Sequence, residues 1–225
     1  MAEKNARGRP AADEGQVREK VLNAAFLIIV EQDISFLTID EIARRAALAK
    51  KTIYRFYSNK EAIIESMIAR WTSTTEVPEP AKPTSSEQVV ASLNTFFTTL
   101  AARVLSLESV VIYQFLQSDL SKKSEYLKLY RENGFDNAAR LLDKWLHEVK
   151  ASGLINPLWP VDSAHYLQAL IVTPLLRDIS LGLIPPVPVF DVQPTITRIL
   201  NDFSPLMLAR PREKHLLAAH YTLKQ

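Results

Sequence analysis

Between Glu41 and Glu61 the chain carries six cations and no acid: Arg44, Arg45, Lys50, Lys51, Arg55 and Lys60. A solvated helix face ordinarily mixes charge signs, so a run of one sign points to a partner of the opposite sign. Among the cations stand Thr52, Tyr54 and Tyr57, whose hydroxyls can donate to phosphate oxygens. Lys and Arg neutralise phosphates and release condensed counterions, while hydroxyls fix register and a few outward side chains read base edges. This is the chemistry of a surface for double-stranded DNA. The net charge of +2 is too small to argue the point alone, and its distribution is the sharper signal. The first 75 residues hold 12 Lys and Arg against 10 Asp and Glu, and the remainder balances at 15 against 15.

Such side chains need rigid elements to hold them. Val17, Val21, Ala24, Ala25 and Ile28 recur at helical spacing, with Leu22, Phe26 and Ile29 widening the stripe, and predict a buried first helix over 16–31. Thr38-Ile39-Asp40-Glu41 matches a capping box: the Thr38 hydroxyl accepts from the Glu41 amide, and the Glu41 carboxylate reaches back to the Thr38 amide. A second helix therefore starts at Thr38, buries Ile39, Ile42, Ala43 and Ala46, and ends near 47–49. The basic segment 50–57 forms the next helix, with Ile53 and Phe56 or Tyr57 inward and Lys51, Thr52, Tyr54 and Arg55 outward. From Ser58 another helix runs through Ile63, Ile64, Met67, Ile68 and Trp71.

Residues 72–86 are rich in Pro, Ser and Thr, the strongest composition break in the chain, and mark a domain boundary. Beyond it the pattern predicts helices over 87–105, 108–120, 125–152 with an interruption at Asn133-Gly134, 162–182 and 194–208, with Gly153 and Gly182 as C-terminal stops. Pro174 and Pro205 are expected to kink or end their helices. The expected fold is all-α: a basic arm over 1–13, a three-helix helix-turn-helix domain over 14–75, a larger helical bundle over 84–210 and a tail over 211–225. Residues 163–176 contain no charge and are apolar around the helix axis, so the helix must be covered on every side. With 194–208 it offers one stripe to its own core and another to a second copy. A homodimer through the helices bounded by Asp162 and Gly182 and by Pro194 and Leu208 is expected, with a single core enclosing the helix as the alternative.

Composition excludes several classes. Apolar residues make up 47 % and charged residues 23 %, as in ordinary globular chains, and five glycines in 225 residues favour helices over turn-rich sheet. The absence of cysteine removes disulfides, thiolate metal sites and cysteine nucleophiles. Neither a leader nor a stretch near the roughly 20 apolar residues of a membrane span appears, so a soluble cytoplasmic protein is expected. His147, His165, His215 and His220 lack metal-ligand spacing, and there is no Gly-rich phosphate loop or Gly-x-Ser-x-Gly elbow. No enzyme, metal or cofactor is expected.

The stretch from Thr38 to Ile63, with Thr52-Ile53-Tyr54 and Asn59-Lys60-Glu61 in register, resembles the DNA-binding signature of the TetR family of bacterial regulators. The resemblance covers the first third of the chain. It implies that Thr38, Thr52 and Tyr54 contact the phosphate backbone, that Lys60 meets phosphate at the next helix's start, and that Lys50, Lys51 and Arg55 contact bases or phosphates. Arg9, within Arg7-Gly8-Arg9-Pro10, is similar to arms that enter the adjacent minor groove. The sequence departs from the family at Ala47-Leu48-Ala49, where Gly-Val-Ser is usual, at Lys51, where a small residue is usual, and at Tyr57, which replaces a buried Phe. The resemblance further implies a helical ligand-binding and dimerisation domain and a palindromic operator, with recognition helices about one DNA turn, ~34 Å, apart.

Phe96, Phe97, Tyr113, Gln114, Gln117, Asn133, Phe135, Trp145 and Tyr166 have the types and helical spacing to line a pocket for a small, mainly apolar effector, and each can equally be core. The expected function is a sequence-specific DNA-binding regulator, a homodimeric repressor released by such an effector. Two other readings remain: a helical interaction module whose basic face docks an acidic partner, and a regulator without a ligand.

Overall fold

A computed structural model describes residues 13–32, 34–73, 77–117, 123–131, 136–160 and 162–209. Residues 1–12 of the arm, Arg9 among them, the 211–225 tail, Phe135 and the Asn133-Gly134 interruption lie outside them, as do His215 and His220. Among the described residues there are eleven α-helices and no strand: α1 Glu14–Glu31, α2 Ile39–Ala46, α3 Lys50–Tyr54, α4 Lys60–Ser73, α5 Ser86–Val104, α6 Leu107–Gln117, α7 Lys123–Tyr130, α8 Asp136–Ala151, α9 Ala164–Ile171, α10 Thr173–Ser180 and α11 Gln193–Met207. No helix of the described residues is long and apolar enough to cross a membrane.

The chain divides into two compact units, one of residues 1–74 and 111–130, the other of 75–110 and 131–225. The composition break at 72–86 falls at the first of these divisions. The first unit also takes 111–130, which the sequence pattern assigns to the 84–210 bundle. Burial gives the reason: Ile112, Phe115, Leu116 and Tyr126 belong to one apolar cluster with Val21 and Ile28 of α1, Ile42 of α2, Ile53 of α3 and Ile63 and Met67 of α4. The second half of α6 and α7 thus complete a core that the first four helices leave open.

In the second unit α5 packs on α11, and α9 packs on α8, α10 and α11. Asn94 donates to the Thr197 hydroxyl at 3.0 Å, Gln193 donates to Asn94 at 2.6 Å, and the Thr98 hydroxyl donates to Gln193 at 2.6 Å, so a chain of amides and hydroxyls joins α5 to α11. The Pro-rich segment is no loose linker from Val77 onward. Val77 is buried, Trp145 Nε1 donates to the Ala81 carbonyl at 3.0 Å, and Lys144 pairs with Glu79 at 2.8 Å.

Several helices depart from the periodicity. Over 125–152, where an interruption at Asn133-Gly134 is expected, two helices lie on either side of that position, α7 and α8. The helix expected over 162–182 is also two, because Pro174 lacks the amide that would close the turn after Val172, and it starts α10 at its first turn instead. Pro205, expected to kink or end its helix, stands inside α11, which ends two residues later at Met207. Gly153 and Gly182 end their helices as expected, at φ 80° and 72°.

Candidate nucleic-acid interface

Thr38 opens α2 from an extended conformation, φ −126° and ψ 155°, and its Oγ1 accepts from the Glu41 amide at 3.1 Å. The return half of the capping box gives way to a stronger pairing. Glu41 takes Arg44 Nε at 2.8 Å and Arg45 Nε at 2.9 Å, and Arg45 also pairs with Glu31 of α1. Two guanidinium donors hold a carboxylate better than one backbone amide does. Hydrogen bonding to Arg44, then to Arg45, holds the Glu41 carboxyl well below the usual carboxylate range, at about 2.

The acid-free run in the sequence is therefore not acid-free in space. Arg44 and Arg45 are engaged by Glu41 and Glu31, and Lys50 Nζ lies 2.6 Å from Asp40. Lys51, Arg55 and Lys60 are exposed and have no acidic partner among the described residues. These three carry the uncompensated positive charge of the segment.

The turn between α2 and α3 is made without its usual residues. Ala47 adopts a left-handed conformation, φ 53° and ψ 44°, which an L-residue with a Cβ enters at a cost of about 1–2 kcal/mol. Ala49 begins α3 with no side-chain cap. The short helix is pinned by Ile53, fully buried in the first core. It stops at Tyr54, three residues before the expected end, and Tyr57 turns inward at 3 % exposure. Tyr57 is thus part of the core, in place of the exposed contact its inclusion among the candidates expects. Tyr54 is 54 % exposed and Thr52 is half-buried beside it. Asn59 then caps α4, its Oδ1 accepting from the Ala62 amide at 2.9 Å, and this leaves Lys60 as the first helical residue.

One cation escapes the sequence pattern. The Arg18 guanidinium of α1 lies 5.2 Å from the centroid of Phe56 and 5.6 Å from that of Tyr57, and Arg55 lies 4.7 Å from Phe56. The only signal in the sequence was the Phe56-Tyr57 pair itself, and nothing in it names a partner 38 residues away.

The expected pocket residues are divided between the two units. Tyr113, half-buried, and Gln114 and Gln117, exposed, belong to the first unit. Tyr166 is 63 % exposed, which removes it from any interior lining. Phe96, Phe97 and Trp145 are buried in the second unit, with Phe96 and Phe97 edge to face at 5.4 Å and Trp145 bound to Ala81. Phe96 floors a surface groove of about 380 Å³ beside Pro78, Pro80, Gln88, Ala91 and Thr95. Among the described residues no group of His, Cys, Asp or Glu is arranged to hold a metal ion.

A capped helix, a tight turn and a short exposed basic helix, seated on a first helix and followed by a capped fourth, make a helix-turn-helix unit of the kind that reads DNA in the major groove. The sequence profile described as "Bacterial regulatory proteins, tetR family" matches residues 21–67. The HTH-type transcriptional regulator YdeS of Bacillus subtilis (strain 168) is 34 % identical over 146 residues, 63 % of this chain and 70 % of that protein. SrpR of Pseudomonas putida, also an HTH-type transcriptional regulator, is 28 % identical over 61 residues, 27 % of this chain and 29 % of that one. The fold is shared with a TetR transcriptional regulator from Agrobacterium tumefaciens, TM-score 0.72 at 20 % identity over 86 % of this chain and 95 % of the other. It is shared too with "Flavonoid-responsive Regulator FrrA", TM-score 0.65 at 23 % identity over 88 % and 100 %. The chain belongs to the TetR family and is a DNA-binding transcriptional regulator.

Proposed function

We propose that the protein is a homodimeric repressor with no catalytic chemistry, which holds a palindromic operator through Thr38, Lys51, Thr52, Tyr54, Arg55 and Lys60, with Lys50 in a lesser share, and releases it on binding a small, mainly apolar effector. The observation that carries this reading is the stretch of exposed Lys51, Tyr54, Arg55 and Lys60, free of acid and fixed by Ile53 beneath and the Asn59 cap beside it. Cations free of internal pairs can neutralise phosphates without first breaking an ion pair.

Dimerisation is supported by apolar side chains left uncovered on the helices expected to form the interface. Tyr166 and Leu170 of α9, one turn apart, are 63 % and 39 % exposed, and Leu206 of α11 is 62 % exposed. An apolar effector is supported by the groove of about 380 Å³ in the second unit, which Phe96 lines beside Pro78 and Pro80. A flavonoid is a reasonable first probe, since one solved relative of this fold is named for its response to such compounds.

A mobility-shift titration on the DNA flanking the protein's own gene, at stated salt, tests the reading. A salt-sensitive shift that is lost in the double variant Tyr54→Ala, Lys60→Ala is expected. A shift that survives the double variant, or its absence with wild type, refutes it.

A further inference from the structure

We propose that Arg18 and Arg55, held over the ring of Phe56, form a backbone-phosphate site on the first unit, so that α1 takes part in DNA binding alongside the helix-turn-helix. The inference rests on residues 38–61 as the DNA surface and adds to it a residue that lies outside that stretch.

Like charges repel, and a folded chain ordinarily separates them or places an acid between them. Here the two guanidinium carbons lie 5.2 and 4.7 Å from one ring centroid, so they are no farther apart than about 10 Å, roughly one screening length at 0.1 M salt. Neither has an acidic partner among the described residues. Glu14, one turn before Arg18 on α1, is exposed and makes no ion pair with it. The ring offers each cation a modest attraction, about 0.5–1 kcal/mol at an exposed site, and supplies no negative charge. The arrangement therefore has two preset positive charges and lacks the anion that would balance them.

The anion with the right address is a DNA phosphate. Arg55 directly follows Tyr54, the exposed end of the recognition helix, and Lys60 opens α4 five residues on. Arg18 reaches the same place because Tyr57 is buried and Phe56 half-buried, which makes the two rings a fixed platform between α1 and the end of α3. A guanidinium over a ring has N–H groups left for two-pronged binding of phosphate oxygens, and a side chain already held there loses little rotamer freedom on binding. Lysine on the same platform would offer only a point charge.

The test uses the full chain and a labelled duplex enriched by the wild-type protein from random-sequence DNA. Dissociation constants are read by fluorescence anisotropy between about 50 and 200 mM salt. Arg18→Gln is expected to weaken binding about 5- to 10-fold in mid-range and to reduce the slope of log K against log salt by about 0.9, the loss of one phosphate contact. Arg18→Met, whose stem still packs on the two rings, serves as the second variant should Arg18→Gln melt below the assay temperature, and the same loss of slope is expected of it. Arg140→Gln, on α8 of the other unit, removes the same charge and is expected to track wild type. A purely structural Arg18 would lower the melting temperature and leave the slope intact. Slopes for both Arg18 variants equal to those of wild type and Arg140→Gln would overturn the proposal while leaving the helix-turn-helix reading standing. Salt-insensitive binding by wild type would instead sink both.

Discussion

The ammonium of Lys50 stands 2.6 Å from the carboxylate of Asp40, tying the first residue of the recognition helix to the first turn of the helix before it. Both side chains are more than half exposed, 56 % and 70 %, so the pair contributes little to stability. Its consequence is for DNA. Binding a phosphate through Lys50 means breaking an ion pair that Lys51 does not have. Lys50→Gln is therefore expected to weaken binding less than Lys51→Gln, and Asp40→Asn to strengthen it severalfold with a melting temperature close to wild type. Anisotropy titrations at one fixed salt check both. Equal losses in the two lysine variants would mean that the pair opens at no cost.

The turn at Ala47-Leu48-Ala49 should be improvable. Glycine at position 47 removes the left-handed strain of about 1–2 kcal/mol and returns about 0.5–1 in unfolded-state entropy, for a net gain of about 0.5–1 kcal/mol. Serine at position 49, where the backbone at ψ 142° already suits a cap, adds about 1 kcal/mol. The double variant Ala47→Gly, Ala49→Ser is expected to melt about 3–8 °C above wild type at this chain length. Calorimetry decides it, and an unchanged transition would show that the first unit does not limit global unfolding.

Much of the fold was readable because its signals are local. Thr38 and the segment from Ser58 as helix starts, Gly153 and Gly182 as stops, and the buried spacing from Val17 to Ile28 involve partners within one or two turns. The charge pattern misled for the opposite reason. Asp40 and Glu41 sit just outside the acid-free window, and Glu31 reaches Arg45 from another helix, so a count along the chain missed three neutralised cations. Helical spacing likewise cannot say which side of a uniformly apolar helix faces the core. On α9 that side holds Leu167 and Ile171, and Tyr166 faces out. Arg18 was invisible because its partners, Phe56 and Tyr57, meet it only in the tertiary structure.

The Glu41 carboxylate makes the helix-turn-helix sensitive to acid. Its pKa is lowered in the folded chain, to about 2 from an ordinary 4.5, chiefly by the hydrogen bond from Arg44 and next by that from Arg45. A lowered carboxyl pKa means that the unfolded chain binds the proton first as pH falls. The stabilisation is thus complete above about 4.5 and is lost progressively down to about 2. Glu41→Gln should therefore lower the melting temperature near neutral pH and show a shallower fall than wild type between pH 5 and 2. Parallel acid limbs for the two proteins would count against the triad of Glu41, Arg44 and Arg45.

Tyr130 sets the alkaline limit by the same logic with the sign reversed. Its ring stacks on Trp71 at 5.3 Å with the planes 5° apart, and burial, followed by the neighbouring Tyr113, pushes its phenol up to about 12 from an ordinary 10.0. The unfolded chain releases this proton near pH 10 and the folded chain holds it to about pH 12, so above 10 the folded state binds more protons. Stability must fall with rising pH across that window, and deprotonation of Tyr130 contributes no further loss beyond it. A phenol that is late to ionise is also visible directly, as tyrosinate absorbance that continues to grow between pH 10 and 12 while the protein remains folded by circular dichroism. Tyr130→Phe should remove that late phase and flatten the alkaline fall, since the stacked ring is kept and only the hydroxyl is lost. If the late absorbance persists in the variant, the buried phenol is another residue and the assignment to the Trp71 partner fails.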